Sequence, residues 1–358
     1  PYDTTKYSWL QGRQAWIFST LYREVEARDE WLSLAESGVD FLREYALRPN
    51  GQVFFSLTRD GQPIYQQRKI FSECFYVMAL AGLARAADRP ELLDEAKEEL
   101  ERIWDWADDW SQVGRPVHEG QPEAQQLAVP MILLNLIEVV AGNDWETYSG
   151  EVKECIDRIE RHVHRDDELV FENVRPDGSR LPGSDGRLLN PGHAIEAGWF
   201  LQHWALRLDR PDLQALASNM VRWMYDTGWD DEHGGLFYFL DAEGRSPTQL
   251  EWFMKLWWPH TEALYAHLLN YAVTGREADW GAFEHTHDYA FKHFADPEHG
   301  EWFGYLDRRG TVTHECKGAP YKGCFHVPRS LWQCWQLLRR LSNDSLERLP
   351  TNQAGGSE

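Results

Sequence analysis

Predicted helices alternate with glycine-terminated turns along this sequence, and this repeated pattern restricts the folds that the chain can adopt. Apolar residues recur at three- and four-residue spacing in long stretches, at 92–110, 129–142 and 192–208, which predicts amphipathic helices. Short aromatic-rich runs with a strand-like character lie between such stretches. Each run ends in a turn that contains an acid and a glycine, as a β-hairpin requires. The closing glycines are Gly61, Gly178, Gly244 and Gly310.

The spacing of these glycines indicates a repeat architecture. The last three are 66 residues apart, and the first gap is about twice as long, with Gly120 near its middle. A unit of roughly sixty residues holds two helices and a hairpin, and about six such units fit into 358 residues. Six helix pairs that close on themselves form an (α/α)6 barrel, in which inner helices surround a central cleft. We therefore predict an all-α barrel with short β-hairpins in its connecting loops; an open solenoid is the alternative.

Composition and charge exclude several classes of function. The formal charge is −22, so the field of the chain repels a phosphate backbone, and we predict no nucleic-acid partner. No apolar run is long enough to span a bilayer, which argues against a membrane partner. The start of the chain lacks the pattern of a signal peptide, and the five cysteines include no CxxC pair, so we expect reduced thiols and a cytoplasmic protein. We predict a single domain over 1–350, followed by a polar C-terminal tail over 351–358.

Ionisable residues cluster beside predicted helix starts. Proline prefers the first helical turn, where its missing N–H is not needed. Three segments combine a proline with ionisable side chains: NPGHAIE at 190–196, WPHTE at 258–262 and HVPR at 326–329. Helix starts that recur at the same point of successive repeats meet at one mouth of a barrel. These polar groups are therefore expected to line a concave pocket there.

His193 is the first candidate for acid–base chemistry. It is three residues before Glu196, so the two side chains share one helix face. The positive end of the helix dipole lowers the pKa of a histidine in the first turn, which favours a neutral imidazole that accepts a proton. The Glu196 carboxylate acts in the opposite direction and can hold the ring's tautomer. A capping or packed histidine is the alternative interpretation of His193 and of His326.

Motifs for metals and nucleotide cofactors are missing from the sequence. It holds no HExxH or EF-hand pattern, and the HVH and HTH triplets at 162–164 and 285–287 lack the spacing of a zinc site. No GxGxxG, Walker A loop or GxSxG elbow is present. We predict acid–base chemistry by His, Glu and Arg, with no metal and no required cofactor. The histidines expected on the solvated surface are His118, His162, His164, His285, His287, His293 and His299.

Six long stretches of the chain have a recognisable sequence. They are WLQGRQAWIFSTLY (9–22), KIFSECFYVMAL (69–80), NPGHAIEAGWFL (190–201), KLWWPHTEALYA (255–266), DPEHGEWFGYLDRRG (296–310) and KGCFHVPRSL (322–331). These stretches resemble the N-acyl-D-glucosamine 2-epimerase family, which shares a superfamily with cellobiose 2-epimerases and aldose–ketose isomerases, and they follow the family's order along nearly the whole chain. The resemblance implies the same (α/α)6 barrel that the repeat predicts.

The resemblance also implies roles for individual residues. His193 and His326 match the two catalytic histidines of the family. The other implied catalytic residues are Arg13, Glu196 and Glu262, and the implied substrate-binding residues are Arg329 and Trp258. Many members respond to ATP, so the resemblance leaves room for ATP as an allosteric effector. The implied partner is a small sugar, and a homodimer is compatible with a barrel of this kind.

The function that these residues favour is epimerisation at C2 of a sugar. Two histidines on opposite faces of C2 interconvert N-acetyl-D-glucosamine and N-acetyl-D-mannosamine by removing and returning a proton in the open-chain form. Alternatives are an aldose–ketose isomerase or a mannose/glucose 2-epimerase of the same superfamily. A glycoside hydrolase needs two carboxylates flanking the glycosidic bond, and the histidine-centred motifs argue against it. A non-catalytic binding protein has no need of both histidines.

Overall fold

The computed structural model describes residues 3–116 and 118–342, so the predicted tail at 351–358 lies outside the described residues. The described chain is mainly helical. Its α-helices are α1 Ser8–Glu24, α2 Asp29–Phe41, α3 Phe71–Ala86, α4 Pro90–Asp108, α5 Ala128–Ala141, α6 Ser149–Glu160, α7 Pro191–Arg207, α8 Pro211–Gly228, α9 Trp257–Thr274, α10 Glu277–His293 and α11 His326–Ser342. Within the described ranges, no helix combines the length and the apolar character needed to cross a membrane.

Short strands join the helices and pair into small antiparallel sheets. The strands are β1 Lys6–Tyr7, β2 Ser56–Leu57, β3 Pro63–Tyr65, β4 Gln125–Gln126, β5 Val163–His164, β6 Leu169–Val170, β7 Asn173–Val174, β8 Leu188–Leu189, β9 Leu240–Asp241, β10 Lys255–Leu256 and β11 Tyr305–Leu306. Strands β1, β2 and β3 form one sheet, and the two-stranded pairs are β4–β7, β5–β6, β8–β9 and β10–β11. These pairs are too short to form a sheet core, so the helices provide the core of the protein.

The described residues divide into two units. The first comprises described residues of 1–121, 132–155 and 318–325, and the second those of 122–131, 156–317 and 326–342. In the first unit, α1 packs against α2 and α3, and α3 packs against α4. In the second unit, α9 packs against α7, α10 and α11, and α7 packs against α8. The single domain expected over 1–350 stays a prediction.

Each unit pairs fully buried helices with helices that bury one face. Every residue from Ser72 to Ala84 of α3 is buried, as is every residue from Trp257 to Asn270 of α9. Helix α4 instead buries residues at three- and four-residue spacing, as an amphipathic helix does. Close approach of α1 to α3 depends on Gly12, where an added Cβ would lie 2.3 Å from the carbonyl oxygen of Phe75.

The four glycine turns predicted from the repeat are present. Each glycine has a positive φ, between +74° and +86°, which is the left-handed region that favours glycine. In each turn the glycine N–H donates to the carbonyl oxygen three residues earlier. The pairs are Gly61 with Thr58, Gly178 with Arg175, Gly244 with Asp241 and Gly310 with Asp307. The 66-residue spacing in the sequence therefore reflects the same turn, built three times at equal intervals.

A buried carboxyl group at the start of α3 gives a prediction for stability. Glu73 is 2% exposed; its Oε1 accepts the N–H of Val53 at 2.8 Å, and its Oε2 has no hydrogen-bond partner among the described residues. Burial raises the pKa of Glu73 to about 7, although backbone hydrogen bonds act in the other direction. The folded protein therefore binds this proton more tightly than the unfolded chain, and the free energy of unfolding falls as the pH rises from about 4.5 to about 7.

Glu73→Gln is expected to remove this pH dependence. Relative to the wild type, the variant should gain up to about 3 kcal/mol of unfolding free energy between pH 5 and pH 8, because glutamine carries no charge to bury. Urea unfolding at both pH values measures the difference. Glu98→Gln, an exposed position on α4, serves as the control and should follow the wild type. The same pH dependence in Glu73→Gln and wild type would contradict the assignment.

Candidate active site

The start of α7 is shaped by a cap, a proline and a glycine. The Asn190 side chain accepts the N–H of His193 at 3.2 Å, and Pro191 occupies the first helical turn as predicted. Gly192 lies against Trp258 of α9, and an added Cβ would come within 2.5 Å of the indole ring. Only glycine therefore permits this approach, which places the His193 ring 5.3 Å from the Trp258 ring, centroid to centroid.

His193 is held by Glu172, a residue that the sequence analysis did not single out. Its Nδ1 lies 3.0 Å from both carboxylate oxygens of Glu172. Glu172 follows β6, and its backbone N–H donates to the carbonyl of Leu188 in the strand that leads into α7. The two side chains are 27% and 12% exposed, so the pair is largely shielded from solvent. The only sequence signal for Glu172 was an acid inside a strand-like aromatic run.

The expected lowering of the His193 pKa is wrong. Burial does lower the pKa of this imidazole, but the charge of Glu172, its hydrogen bond and the charge of Glu196 outweigh burial and raise the pKa above its usual value. A helix start lowers the pKa of a histidine by less than a carboxylate at 3.0 Å raises it. His193 therefore binds a proton more tightly than an exposed histidine does.

The second histidine lies in a buried charged cluster. The Nδ1 of His326 is 2.7 Å from Oε1 of Glu262, and the same oxygen is 2.7 Å from Nη2 of Arg329. That guanidinium nitrogen also donates to Oε1 of Glu196 at 2.7 Å. All four side chains are buried. Burial acts to lower the pKa of Arg329, but the two carboxylates raise it, so the arginine stays charged.

Two tryptophans complete the site within the second unit. The Trp199 indole N–H donates to Oε2 of Glu262 at 2.9 Å, which orients the carboxylate that holds His326. Trp258 contacts both imidazoles, with ring centroids 5.3 Å from His193 and 5.8 Å from His326. Trp199 was not predicted, although it lies three residues after Glu196 on α7. The structure thus brings together His193, Glu196, Trp258, Glu262, His326 and Arg329 from the predicted set.

Arg13 lies on α1, in the first unit. Its guanidinium carbon lies 4.1 Å from the ring centroid of Phe75, 5.0 Å from that of Phe325 and 5.2 Å from that of Trp9. Aromatic faces attract a guanidinium through their negative quadrupole, so these rings fix the direction of the side chain. Its predicted catalytic role stays a prediction.

One set of side chains has the composition of a cation site. Ligand atoms of Glu196, Glu262 and His326 all lie within 4.8 Å of one another. However, Arg329 bonds to both carboxylates at 2.7 Å and already places a positive charge among them. A metal ion would have to displace that guanidinium, so these residues fit an ion-paired cluster better than a metal centre.

Two other buried histidines are structural. His260 donates from Nδ1 to the carbonyl of Leu256 and accepts the N–H of Leu236 at Nε2, and burial lowers its pKa to about 3. His162 is fully buried and bonds to the carbonyl of Phe171, and burial lowers its pKa to about 4. The expectation of a solvated His162 is wrong, because the turn between α6 and β5 folds its ring inward.

The arrangement suits proton transfer to and from carbon. In His193 and His326, Nδ1 donates to a carboxylate, so Nε2 carries the lone pair whenever the ring is neutral. Both rings contact Trp258, whose indole offers an apolar face of the kind that packs on the C–H face of a sugar. Two acid–base groups beside one apolar platform can exchange protons with a bound carbon acid.

Comparison with known proteins supports the same interpretation. The family model described as N-acylglucosamine 2-epimerase (GlcNAc 2-epimerase) matches residues 1–327. The N-acylglucosamine 2-epimerase of Bos taurus is 48% identical over 95% of this chain and 83% of the bovine protein. The protein of the same name from Homo sapiens is 47% identical over 95% of this chain and 82% of its own length.

Solved structures with low sequence identity share the fold. Cellobiose 2-epimerase from Bacillus thermoamylovorans B4167 superposes with a TM-score of 0.78 at 19% identity, covering 95% of this chain and 89% of that protein. A D-mannose isomerase gives a TM-score of 0.78 at 17% identity, covering 94% and 88%. This similarity confirms the predicted (α/α)6 barrel. By fold and by sequence similarity along nearly its whole length, the chain belongs to the N-acylglucosamine 2-epimerase family of isomerases.

Proposed function

We propose that this chain interconverts N-acetyl-D-glucosamine and N-acetyl-D-mannosamine through two histidines. The observation that carries the proposal is the pair His193 and His326, each anchored at Nδ1 by a carboxylate and each in contact with Trp258. The substrate pair is supported by relatives named N-acylglucosamine 2-epimerase that are 47% and 48% identical to the chain.

The reaction passes through an enolate of the open-chain sugar. The aldehyde at C1 makes the C2 proton acidic, and a neutral imidazole removes this proton from one face. The electron pair of the C2–H bond forms the C1–C2 double bond, and the negative charge moves to O1. An imidazolium on the opposite face then protonates C2, and the C1 aldehyde forms again. Each imidazole acts as base in one direction and as acid in the other.

The remaining residues support these two histidines. Glu262 and Glu172 hold the Nδ1 atoms, while Trp199 and Arg329 hold Glu262. Arg329 was predicted to bind substrate, and its contacts with two carboxylates support a further role in balancing their charge. We propose that Arg13 stabilises the charge on O1, since a guanidinium stays protonated throughout the reaction and the family resemblance implies this residue. Trp258 packs against the C–H face of the sugar.

We also propose that the reaction needs neither a metal nor a nucleotide, because His193, His326 and the charged cluster supply the acid, the base and the positive charge. ATP as an effector, a homodimer and a cytoplasmic location stay predictions. The described residues include all five cysteines and no disulfide bond, as is typical of proteins in reducing compartments.

A substrate panel tests the proposal. N-acetylglucosamine, N-acetylmannosamine, mannose, glucose and cellobiose are each incubated with dialysed, EDTA-treated enzyme in D2O and followed by proton NMR. We expect the two N-acetyl sugars to interconvert and to gain deuterium at C2, with kcat/KM at least tenfold above that of the other sugars. A tenfold preference for mannose would assign a mannose 2-epimerase, and a ketose product would assign an isomerase. Activity that returns only after a divalent metal is added would contradict the acid–base chemistry.

A further inference from the structure

The two catalytic histidines have unequal electrostatic surroundings. His326 donates to Glu262, but the oxygen that it uses lies 2.7 Å from the Arg329 guanidinium. The positive charge of Arg329 offsets the field of Glu262 at the imidazole, and Nη2 itself lies 3.4 Å from Nδ1 of His326. A second positive charge on His326 is therefore opposed by a neighbouring cation.

His193 has a carboxylate partner without such compensation. Both oxygens of Glu172 lie 3.0 Å from its Nδ1, and the hydrogen bonds and ion pairs of Glu172 among the described residues include no arginine or lysine. Glu196, on the same helix face, adds a second negative charge, although Arg329 bonds to it. On α9 and α11, Glu262, His326 and Arg329 bond to one another. His162 also feels the charge of Glu172, but burial lowers the pKa of His162 to about 4, so this ring adds no positive charge near neutral pH.

We infer that Glu172 is a positioning residue that keeps the proton on His193 between turnovers, so that the resting enzyme presents His193 as the acid and His326 as the base. The inference rests on the proposed function. Each turnover begins with one of the two imidazoles protonated and the other neutral. Glu172, whose contacts among the described residues include no arginine or lysine, determines which imidazole holds the proton. Glu172 acts on the sugar only through His193, by placing its proton and by directing its Nε2.

The pH profile of kcat/KM reports this assignment. The active free enzyme has one protonated and one neutral histidine, so the acid limb reports protonation of His326 and the alkaline limb reports loss of the proton from His193. Glu172→Gln keeps an oxygen that accepts from Nδ1 but removes the charge. We expect the alkaline limb to move down by at least about one pH unit while the acid limb stays in place. A residue that only supports the fold would lower the rate without moving one limb.

Titration of His193 itself separates this inference from the proposed function. Protein labelled with ¹³C at histidine Cε1 is titrated by NMR, and His193→Asn identifies the resonance. In Glu172→Gln the pKa of His193 should fall by at least about one unit, and Glu172→Asp, which keeps the charge, should restore most of the difference. Glu168→Gln, an exposed glutamate four residues earlier, is the matched control and should follow the wild type in both measurements.

The outcomes of these experiments distinguish a failure of the proposed function from a failure of the inference about Glu172. Wild-type enzyme that epimerises no sugar would overturn the proposed function, while the NMR titration would still test Glu172. Epimerisation by the wild type together with an unchanged His193 pKa and an unchanged alkaline limb in Glu172→Gln would overturn the inference. If Glu172→Gln does not fold, the Asp variant decides: its His193 pKa should remain above the value of about 6.5 that is usual for an exposed histidine, and a pKa at or below that value would contradict the assignment.

Discussion

Replacing His326 by asparagine is expected to lower the kcat of epimerisation on the order of a thousandfold or more. Asparagine can still donate to Glu262 and so preserves the buried hydrogen bond, but its amide is neither a general acid nor a general base near neutral pH. The measurement is the rate of appearance of the second epimer, started from each N-acetyl sugar in turn. His193→Asn is expected to have a loss of the same order, since inversion needs a proton donor on the face opposite the base.

Deuterium exchange distinguishes the two single variants. Each retains one imidazole, so each is expected to exchange the C2 proton of one epimer with D2O without inverting the centre, and the two variants should differ in which epimer they exchange. His287→Asn, an exposed position on α10, is the control and should retain normal rates. Near-normal epimerisation by one variant would remove that histidine from the two-base mechanism, and near-normal epimerisation by both would refute the site.

Arg329→Met is expected to destabilise the protein by about 3 to 5 kcal/mol and to abolish most of the activity. The guanidinium lies 2.7 Å from carboxylate oxygens of both Glu196 and Glu262, and its loss leaves two buried carboxylates without a cation. Urea unfolding measures the loss of stability, and the rate of epimerisation measures the loss of activity.

Two further variants show whether the unbalanced charge causes the loss of stability in Arg329→Met. Arg339→Met removes an exposed arginine from the same helix and should change the unfolding free energy little. Adding Glu196→Gln to Arg329→Met removes one of the two uncompensated charges and should recover part of the lost stability. A double variant no more stable than Arg329→Met alone would show that packing, rather than charge, explains the loss.

Much of the fold and part of the site could be predicted because the information is local. A glycine closing each turn is a requirement of four consecutive residues, so the repeat was visible as spacing alone. Proline near the starts of α7, α9 and α11 likewise predicted where these helices begin. The side chains on the first two turns of these helices, His193, Glu262 and His326, are among those that the second unit brings together.

The partners within the site depend on tertiary contacts that no local pattern contains. Glu196 shares a helix face with His193, yet its carboxylate bonds to Arg329, which is 133 residues away in sequence. His193 instead bonds to Glu172, 21 residues earlier, and the sign of its pKa shift changes with that contact. His162 was misplaced for the same reason, since a histidine in a polar stretch gives no sign that a turn will enclose it.

The unequal surroundings of His193 and His326 have a consequence for the enzyme's recovery between turnovers. Inversion by two bases moves one proton from the sugar to the first imidazole and another from the second imidazole to the sugar. The product therefore leaves an enzyme whose proton is on the opposite histidine from where it began. A next event in the same direction must wait until that proton returns through water or the surrounding side chains. Glu172 and Arg329 favour the sugar-free form in which His193 holds the proton. The return of the proton therefore lowers the free energy of the enzyme after turnover in one direction and raises it after turnover in the other.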